Sequence, residues 1–382
     1  MIARLGDVAE FINGGAWSDK EYTENGIPVV KVTNLKNGTV DLNEVNYIPE
    51  SSLDKYGRHL LSKGDLVIAT VGSHPNLIAS AAGRATIIPT MAEGALLNQN
   101  ALCIRTNSKD LNQGYLGYLG KSDLFQGYVK SVGRGAANQV RIALGLIKEF
   151  SFELPLLPTQ CKIASILSAY DELIENNLKR IKLLEEKSAI AYKDLIQDIE
   201  KWDKVKLEEF VSVVKGRKPS SILEKPEDDS QLYLLLDTIE RGKTLYTSDL
   251  TLPQSKITDV LMCMDGARSG LSFRGMIGAI GSTMAIWRSN SERVCGEFLY
   301  QFLKQNESAI TQGNTGAAIP HANRKFILDM KMAIPPKKEA EYFDELTTPI
   351  IKLINTLHNQ NGKLREARDI LLTKLMNGQI EV

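Results

Sequence analysis

The chain has 382 residues, enough for two or three domains that each bury a hydrophobic core. Its composition, 43% hydrophobic and 24% charged, excludes a largely disordered protein. With 46 basic and 46 acidic residues the formal net charge is zero, which argues against a protein that binds nucleic acid through a general basic excess.

The sequence carries no signal for export or membrane insertion, so we expect a cytoplasmic protein. The segment Met1 to Asp7 lacks the apolar stretch of a signal peptide, and no run approaches the ~20 apolar residues of a membrane span. The cysteines form no Cys-x-x-Cys pair and are predicted to be mostly buried free thiols, which suits a reducing compartment. They are Cys103, Cys161, Cys263 and Cys295.

Residues 1–155 are predicted to form a mixed α/β domain with a twisted, largely antiparallel sheet. Short β-rich runs alternate with turn signals such as Asn25-Gly26. A helix is expected from Tyr115 to Tyr128 despite its glycines. Strands are predicted at Ile27–Val32, Gly64–Val71 and Ala101–Arg105.

Residues 156–200 are predicted to form a long coiled-coil helix. Apolar residues recur alternately four and three positions apart, which is typical of such a helix. Asn177 falls on this seam, where a polar residue usually fixes the register of the partner helix. The predicted packing residues are Ile163, Leu167, Tyr170, Ile174, Asn177, Ile181 and Leu184.

Residues 201–335 are predicted to form a second mixed α/β domain, and residues 336–382 a second long helix. Strands are expected at Leu232–Ile239, Val260–Met264 and Met276–Trp287. Pro349 and Gly362 predict a kink or a late start in the helix. Its predicted seam is Phe343, Leu346, Ile350, Leu353, Leu357, Gln360, Leu364, Ala367 and Leu371.

The two halves of the chain repeat each other. Leu5-Gly-Asp-Val8 matches Leu207-Glu-Glu-Phe210, Gly64-Asp65 matches Thr258-Asp259, and Gly133-Arg-Gly-Ala-Ala matches Gly313-Asn-Thr-Gly-Ala-Ala. A repeat of ~180 residues is far longer than the ~20–50 residues of a solenoid unit. We therefore predict an α+β molecule with an internal pseudo-two-fold repeat. Two mixed α/β domains are separated by two antiparallel helices, each ~55 Å long at ~1.5 Å per residue.

A search for catalytic motifs finds none that fits. Gly266 to Gly270 lacks the lysine of a phosphate-binding loop. Ile334-Pro-Pro-Lys337 lacks the polar and aromatic ends of an adenine methyltransferase signature. Glu185-Glu-Lys187 lies in a helix, where a solvated face is the ordinary explanation. The four histidines show no metal-ligand spacing, so a metal site is not expected.

Two matched polar, glycine-rich loops remain, one before each long helix. Their amide, imidazole and guanidinium groups are those that bind base edges and phosphates. The alternative for either loop is an ordinary surface loop, but repetition at equivalent positions favours function. The candidates are Arg134, Asn138, Gln139 and Arg141 in the first loop, and Asn314, His321, Asn323 and Arg324 in the second.

Other polar clusters are candidates for the same two surfaces, with a plain loop as the alternative for each. One follows the Gly64-Asp65 strand, another follows Asp259, and a basic cluster occurs only in the second domain. Their residues are Ser73, His74, Asn76 and Arg84; Arg268, Ser269 and Arg274; and Lys215, Arg217 and Lys218.

The order of these elements resembles the specificity subunits of Type I restriction-modification systems. The hallmark turn and helix of that family stand here as Leu154-Pro-Leu-Leu-Pro-Thr-Gln160 followed by Ile163, Ile166-Leu167 and Asp171. The Gly64-Asp-Leu-Val-Ile68 strand is also typical of its target recognition domains. The second copy of the turn, Ile334 to Ala340, is degenerate because it lacks the glutamine. The resemblance covers essentially the whole chain.

The resemblance implies a non-catalytic subunit that reads a bipartite DNA site, one half-site per recognition domain. The helices would set the gap and dock two methyltransferase subunits, which alone bind S-adenosylmethionine, and endonuclease subunits would complete the complex. Two other classes stay open. One is a coiled-coil scaffold that never touches DNA, and the other is a stand-alone enzyme that dimerises through its helices.

Overall fold

The computed structural model describes residues 1–36, 39–42, 45–72, 82–136, 139–241, 244–316 and 319–382. It divides into two compact units. Unit 1 contains residues 1–175 and 364–382, and unit 2 contains residues 176–363. Each unit therefore holds one globular α/β part and a segment of each long helix.

The globular part of unit 1 consists of short strands and short helices. Its strands are β1 (Ile2–Arg4), β2 (Ala9–Asn13), β3 (Ile27–Val30), β4 (Leu35–Lys36), β5 (Thr39–Val40), β6 (Asn46–Ile48), β7 (Leu66–Ala69), β8 (Val71–Gly72), β9 (Ala85–Ile87), β10 (Leu96–Leu97), β11 (Ala101–Thr106), β12 (Arg134–Ala136), β13 (Gln139–Arg141) and β14 (Ser151–Glu153). Its helices are α1 (Leu5–Val8), α2 (Leu53–Tyr56), α3 (Gln113–Lys121), α4 (Asp123–Val132) and α5 (Leu144–Lys148).

The main sheet of unit 1 has the order β2-β11-β7-β9, and all its pairs are antiparallel. Helix α3 packs on this sheet. Its glycines permit the contact, because a Cβ at Gly120 would lie 2.6 Å from the Leu66 side chain. A second sheet, β10-β3-β6, contains a parallel pair, β10 with β3. Strands β1 and β14 pair the first residues of the unit with those just before the long helix.

The single helix predicted from Tyr115 to Tyr128 is two helices, α3 and α4. Ser122 separates them: its hydroxyl donates to the Leu119 carbonyl, at 2.7 Å, and accepts the backbone N–H of Phe125, at 3.3 Å. The side chain therefore closes α3 and caps the N-terminus of α4. Serine is a common N-cap residue, but the regular spacing of apolar residues favoured the prediction of one continuous helix.

Helix α6 (Leu157–Leu195) begins in unit 1, ends in unit 2 and continues as a 3-10 segment, Ile196–Lys201. The remaining strands belong to unit 2. They are β15 (Lys204–Lys206), β16 (Val211–Lys215), β17 (Gln231–Leu234), β18 (Tyr246–Thr247), β19 (Gln254–Ser255), β20 (Val260–Cys263), β21 (Ser272–Arg274), β22 (Gly278–Ile280), β23 (Met284–Ser289) and β24 (Lys331–Ala333). The remaining helices are α7 (Leu236–Arg241), α8 (Gly296–Gln305), α9 (Glu307–Gln312), α10 (Arg324–Asp329) and α11 (Lys337–Met376).

Two strand predictions in unit 2 were too long. The segment Leu232–Ile239 leaves the sheet after Leu234, and α7 begins at Leu236 with Asp237 in its first turn, where an acidic side chain favours a helix. The segment Met276–Trp287 is split into β22 and β23 by a turn closed by the Met284 N–H and the Gly281 carbonyl, at 3.0 Å.

The sequence repeat is a repeat of topology. The main sheet of unit 2, β16-β23-β20-β21, has the same order as β2-β11-β7-β9 in unit 1. Strands β15 and β24 pair like β1 and β14, and the parallel pair β17 with β22 corresponds to β3 with β10. The prediction of two mixed α/β domains, each followed by a long helix, is confirmed.

The long helices run antiparallel within unit 2. Asn177 donates through Nδ2 to Oδ1 of Asn361, at 2.9 Å, and Tyr192 lies edge-on to Phe343 with centroids 6.3 Å apart. Between these contacts an apolar seam is buried. Its members are Ile181, Ile350, Ile351, Ile354 and Leu357, with Leu178 and Leu184 partly buried against them.

The predicted seam of α11 was wrong at alternate positions. Leu353 is 37% exposed and Ile354 is buried in its place; Gln360 is exposed and Asn361 is buried. The 3–4 alternation therefore begins with a step of four residues after Phe343 and not with a step of three. Polar Thr347 and Asn361 on the true seam concealed this phase. The predicted late start was also wrong, because the helix begins at Lys337 and continues past Pro349.

In unit 1 both long helices join the core of the globular part. Ile163 and Leu167 of α6 and Leu372 and Leu375 of α11 are buried there. Of the other predicted packing residues, Ile174 is buried and Tyr170, Leu184, Leu364 and Leu371 are partly buried.

In each unit the carboxylate of an ion pair also joins a long helix to the globular part by accepting a hydrogen bond from a hydroxyl group. In unit 1, Asp171 of α6 accepts from the Tyr118 hydroxyl at 2.7 Å and from Arg368 at 2.5 Å. In unit 2 the central carboxylate is on the globular side: Glu297 of α8 accepts from Ser188 of α6 at 2.6 Å and from Arg274.

Candidate nucleic-acid interface

In unit 1 the polar loop lies beside the segment that follows strand β7. Strands β12 and β13 pair with each other, and β13 also pairs with β8, so that Arg141 is opposite Val71. The next residue, Ile142, donates its N–H to the Thr70 carbonyl at 2.9 Å. Val71 and Arg141, which are ~70 positions apart in the sequence, thus lie opposite each other at one edge of the sheet. Arg141 is exposed there.

Unit 2 repeats this arrangement. His321 exchanges two backbone hydrogen bonds with Thr315, at 2.7 and 2.9 Å, and is paired with Asp265, which follows strand β20. The next residue, Ala322, donates to the Met264 carbonyl at 2.8 Å. His321 is therefore the counterpart of Arg141, and Asp265 the counterpart of Val71.

Three side chains meet at this place in unit 2. His321 Nδ1 lies 2.7 Å from Asp265 Oδ1, and Lys215 Nζ lies 3.3 Å from Asp265 Oδ2. The His321 side chain is 49% exposed and that of Asp265 is 25% exposed. Sequence reasoning found the lysine and the histidine but missed the acid that joins them. The repeat could have pointed to it, because Asp265 closely follows strand β20, the counterpart of the strand that begins after Gly64-Asp65 in unit 1.

Several other predicted residues line the same loops with structural roles of their own. Asn314 donates to the carbonyl and hydroxyl of buried Ser269, at 2.9 and 2.8 Å, and so joins the two loops. Asn323 caps α10 by accepting the Phe326 N–H at 3.1 Å. Arg324, in the first turn of that helix, is exposed.

The remaining basic candidates of unit 2 lie on its surface. Arg217 donates to the Thr251 carbonyl, and Lys218 and Arg268 are exposed. None of these positions by itself identifies a ligand, and DNA contact by these residues stays a prediction.

Arg274 does not lie with the candidate surface. Its guanidinium is 10% exposed, forms two 2.8 Å contacts with Glu297 and one of 3.1 Å with Glu185, and covers the Tyr300 ring. We therefore correct its assignment: Arg274 joins the sheet to helix α6. Its position at the end of β21 turns it away from the loops that carry His321.

In unit 1, Arg84 donates to the Leu35 carbonyl at 2.6 Å. Arg134 and Gln139 lie in strands β12 and β13. Ser73, His74, Asn76 and Asn138 lie outside the described residues.

An ion pair occurs at equivalent positions in both units, at the start of the strand that leads to each loop. It was not predicted from the sequence. Arg105 binds Asp65 through two nitrogens, at 2.7 and 2.6 Å, and Arg288 binds Asp259 at 2.7 Å twice. Each aspartate also accepts the backbone N–H three residues before it, that of Ser62 or Lys256. The aspartate of the Gly-Asp strand motif thus anchors the strand that leads into the candidate surface.

The cysteine thiols of the described residues differ in their environments. Burial raises the pKa of Cys295 to about 12 and that of Cys103 further, so both remain protonated thiols. Cys103 and Cys263 are buried, Cys295 is partly buried and Cys161 is exposed. In the part of the chain that the structure describes, no group of three histidine, cysteine or acidic side chains is arranged to hold a metal ion. Nor does any helix there combine the length and hydrophobicity of a membrane span.

Comparison with known proteins agrees with the resemblance. A family model described as the Type I restriction modification DNA specificity domain matches residues 1–186. The putative type I restriction enzyme MjaX specificity subunit of Methanocaldococcus jannaschii is 23% identical over 408 residues, covering 100% of this chain and 93% of the relative. The MjaIX specificity subunit of the same organism is 23% identical over 428 residues with the same coverages. Residues 1–186 therefore belong to the Type I restriction modification DNA specificity domain family.

A solved structure shows the same fold. The S subunit of a Type I restriction-modification system from M. genitalium superposes with a TM-score of 0.57 at 14% identity, over 98% of this chain and 96% of the other. At that identity the likeness concerns the fold alone, and it covers both units and both long helices.

Proposed function

We propose that this chain is a specificity subunit, the non-catalytic, DNA-reading member of a Type I restriction-modification complex in the cytoplasm. Each globular part reads one half of a bipartite site in double-stranded DNA. The long helices set the gap and dock two methyltransferase subunits, and endonuclease subunits complete the complex. S-adenosylmethionine is held by the methyltransferase, and this chain binds no cofactor of its own.

The observation that supports the proposal is the repeated loop pair. In each unit a polar, glycine-rich loop is hydrogen-bonded to the segment that follows the Gly-Asp strand, and each pair presents an exposed basic or imidazole side chain, Arg141 or His321. A scaffold has no need for two such surfaces at equivalent places. Two surfaces in one chain fit a DNA site with two unequal halves.

Neutral net charge supports the need for a partner. Most DNA affinity comes from neutralised phosphates, and this chain has as many acidic as basic residues. We therefore expect weak binding by the chain alone and tight binding with the methyltransferase.

The experiment is selection of DNA sites from a random duplex library, with the full chain alone and with its methyltransferase, over a series of salt concentrations. We expect a bipartite site to emerge only with the partner, and the salt dependence to steepen because more phosphates are contacted. Equal affinity and salt slope with and without the methyltransferase would contradict partner-assisted binding. Failure to select any sequence would favour the scaffold alternative.

A further inference from the structure

We infer that His321 is a specificity-determining residue that accepts a hydrogen bond from an exocyclic amino group of one base, and that Asp265 positions it for that role. The inference rests on the proposed function and deepens it. It names the hydrogen-bonding class of one recognised base, cytosine or adenine, whose N4 and N6 amino groups are donors in the major groove.

The backbone holds His321 from both sides. It exchanges two hydrogen bonds with Thr315, and the neighbouring backbone bonds Ala322 to Met264 and Gly266 to Pro320, at 2.8 and 2.9 Å. A side chain on such a doubly supported segment is held in place before any ligand binds, which favours discrimination between similar bases.

The carboxylate of Asp265 fixes which ring nitrogen carries the proton. An ionised carboxylate only accepts hydrogen bonds, so Nδ1, which lies 2.7 Å from Asp265 Oδ1, carries the hydrogen. In the neutral imidazole the other nitrogen, Nε2, then has a lone pair and accepts. Nε2 is on the far side of the ring from Asp265, on a side chain that is 49% exposed.

Lys215 offsets the negative charge of Asp265 near DNA. A carboxylate close to phosphates is repelled, but Lys215 Nζ lies 3.3 Å from the second oxygen of Asp265. Both oxygens are therefore engaged, one by the imidazole and one by the ammonium. The equivalent position in unit 1 has Arg141 opposite Val71, without an acid. A guanidinium only donates, and it pairs best with guanine, so the two units read different base classes.

The test compares variants in the full complex with the methyltransferase, by the rates at which duplexes differing at each half-site position are methylated. His321→Ala is expected to reduce discrimination at one base position of one half-site about 5- to 150-fold. His321→Arg is expected to move the preference at that position to guanine. Arg141→Ala, the matched control, is expected to affect a position in the other half-site.

Asp265→Asn separates the positioning role from a structural one. An amide satisfies either imidazole tautomer, so the preference for an amino-bearing base over a keto-bearing one should weaken while methylation of the native site persists. The inference is overturned if His321→Ala leaves every base preference unchanged, or if both variants lower the rates on all sequences equally. A wild-type complex without sequence preference would instead overturn the proposed function.

Discussion

In both units a globular part is held against a long helix, but the hydrogen bonds that hold it are different. In unit 1 the fully buried Gln160 of α6 donates to the carbonyls of Asp110 and Pro155, at 2.7 and 2.8 Å, and accepts the Asn112 N–H at 2.9 Å. Unit 2 has Ala340 at this position. There Arg293, from the globular side, donates to the carbonyls of Pro335 and Ile334, at 2.7 and 3.2 Å.

The side chain that makes these hydrogen bonds therefore comes from opposite partners in the two units. The helix reaches to the globular part in unit 1, and the globular part reaches to the turn before the helix in unit 2. The carboxylate of the ion pair changes sides in the same way, since Asp171 belongs to a long helix and Glu297 to the globular part. A repeat therefore conserves what must be satisfied, the backbone groups and a buried charge, and not which residue satisfies them. A degenerate sequence motif need not mean a lost contact.

The largest effect is expected from breaking the ionic contact of unit 2. Glu297 is 4% exposed and Arg274 10%, so Glu297→Ala leaves a buried guanidinium with only the half-exposed Glu185 as an ionic partner. We expect a loss of ~3–5 kcal/mol in the stability of unit 2. Asp171→Ala should cost unit 1 less, ~1–3 kcal/mol, because Asp171 is 28% exposed and Arg368 keeps Asp369.

Hydrogen exchange resolved by peptide measures each unit separately, with amides of α8 reporting on unit 2 and those of α3 on unit 1. Glu208→Ala, which breaks an exposed contact with Lys206, is the control and should change nothing measurable. Equal losses in the two units would show that burial does not decide the strength of these contacts.

A smaller difference in stability loss is expected between variants of Gln160 and of Arg293. Gln160→Ala removes three hydrogen bonds from a fully buried place and should destabilise unit 1 by ~2–3 kcal/mol. Arg293→Ala removes two bonds at a partly exposed place and should cost unit 2 ~1–2 kcal/mol. Adding Ala340→Gln to the second variant should recover part of the loss, as judged by exchange of the first amides of α11. No recovery would mean that the two turns differ in geometry as well as in sequence.

Spacing and repetition in the sequence predicted the parts of this molecule that depend on long, regular patterns. The two mixed domains, the long helices and the matched loops belong to this group. What failed depended on single polar side chains. Ser122 divides a helix, Asn361 and Thr347 hide the phase of a seam, and Arg274 turns inward to Glu297. The partner of a charged side chain lies far away in sequence, so no local pattern reveals it.

The smallest effect concerns the polar pair in the seam of unit 2, which has no ionic character, unlike the contact of Arg368 with Asp171 in unit 1. Asn177 donates to Asn361, and among the described residues the buried Nδ2 of Asn361 has no hydrogen-bond partner. Asn361→Leu removes that unsatisfied donor but deprives Asn177 of its acceptor, so we expect almost no change in stability.

Replacing both asparagines by leucine leaves no unsatisfied amide at this pair and should stabilise unit 2 by ~1–2 kcal/mol, measured by calorimetry of the full chain. The gain should come with a looser helix register, because a buried polar pair penalises slipped alignments. In the complex, looser register predicts that the double variant methylates sites whose gap differs by one base pair more readily than the parent does. A double variant that is less stable than the parent would show instead that this seam is shaped around the amides, and that unit 2 uses their fit where unit 1 uses charge.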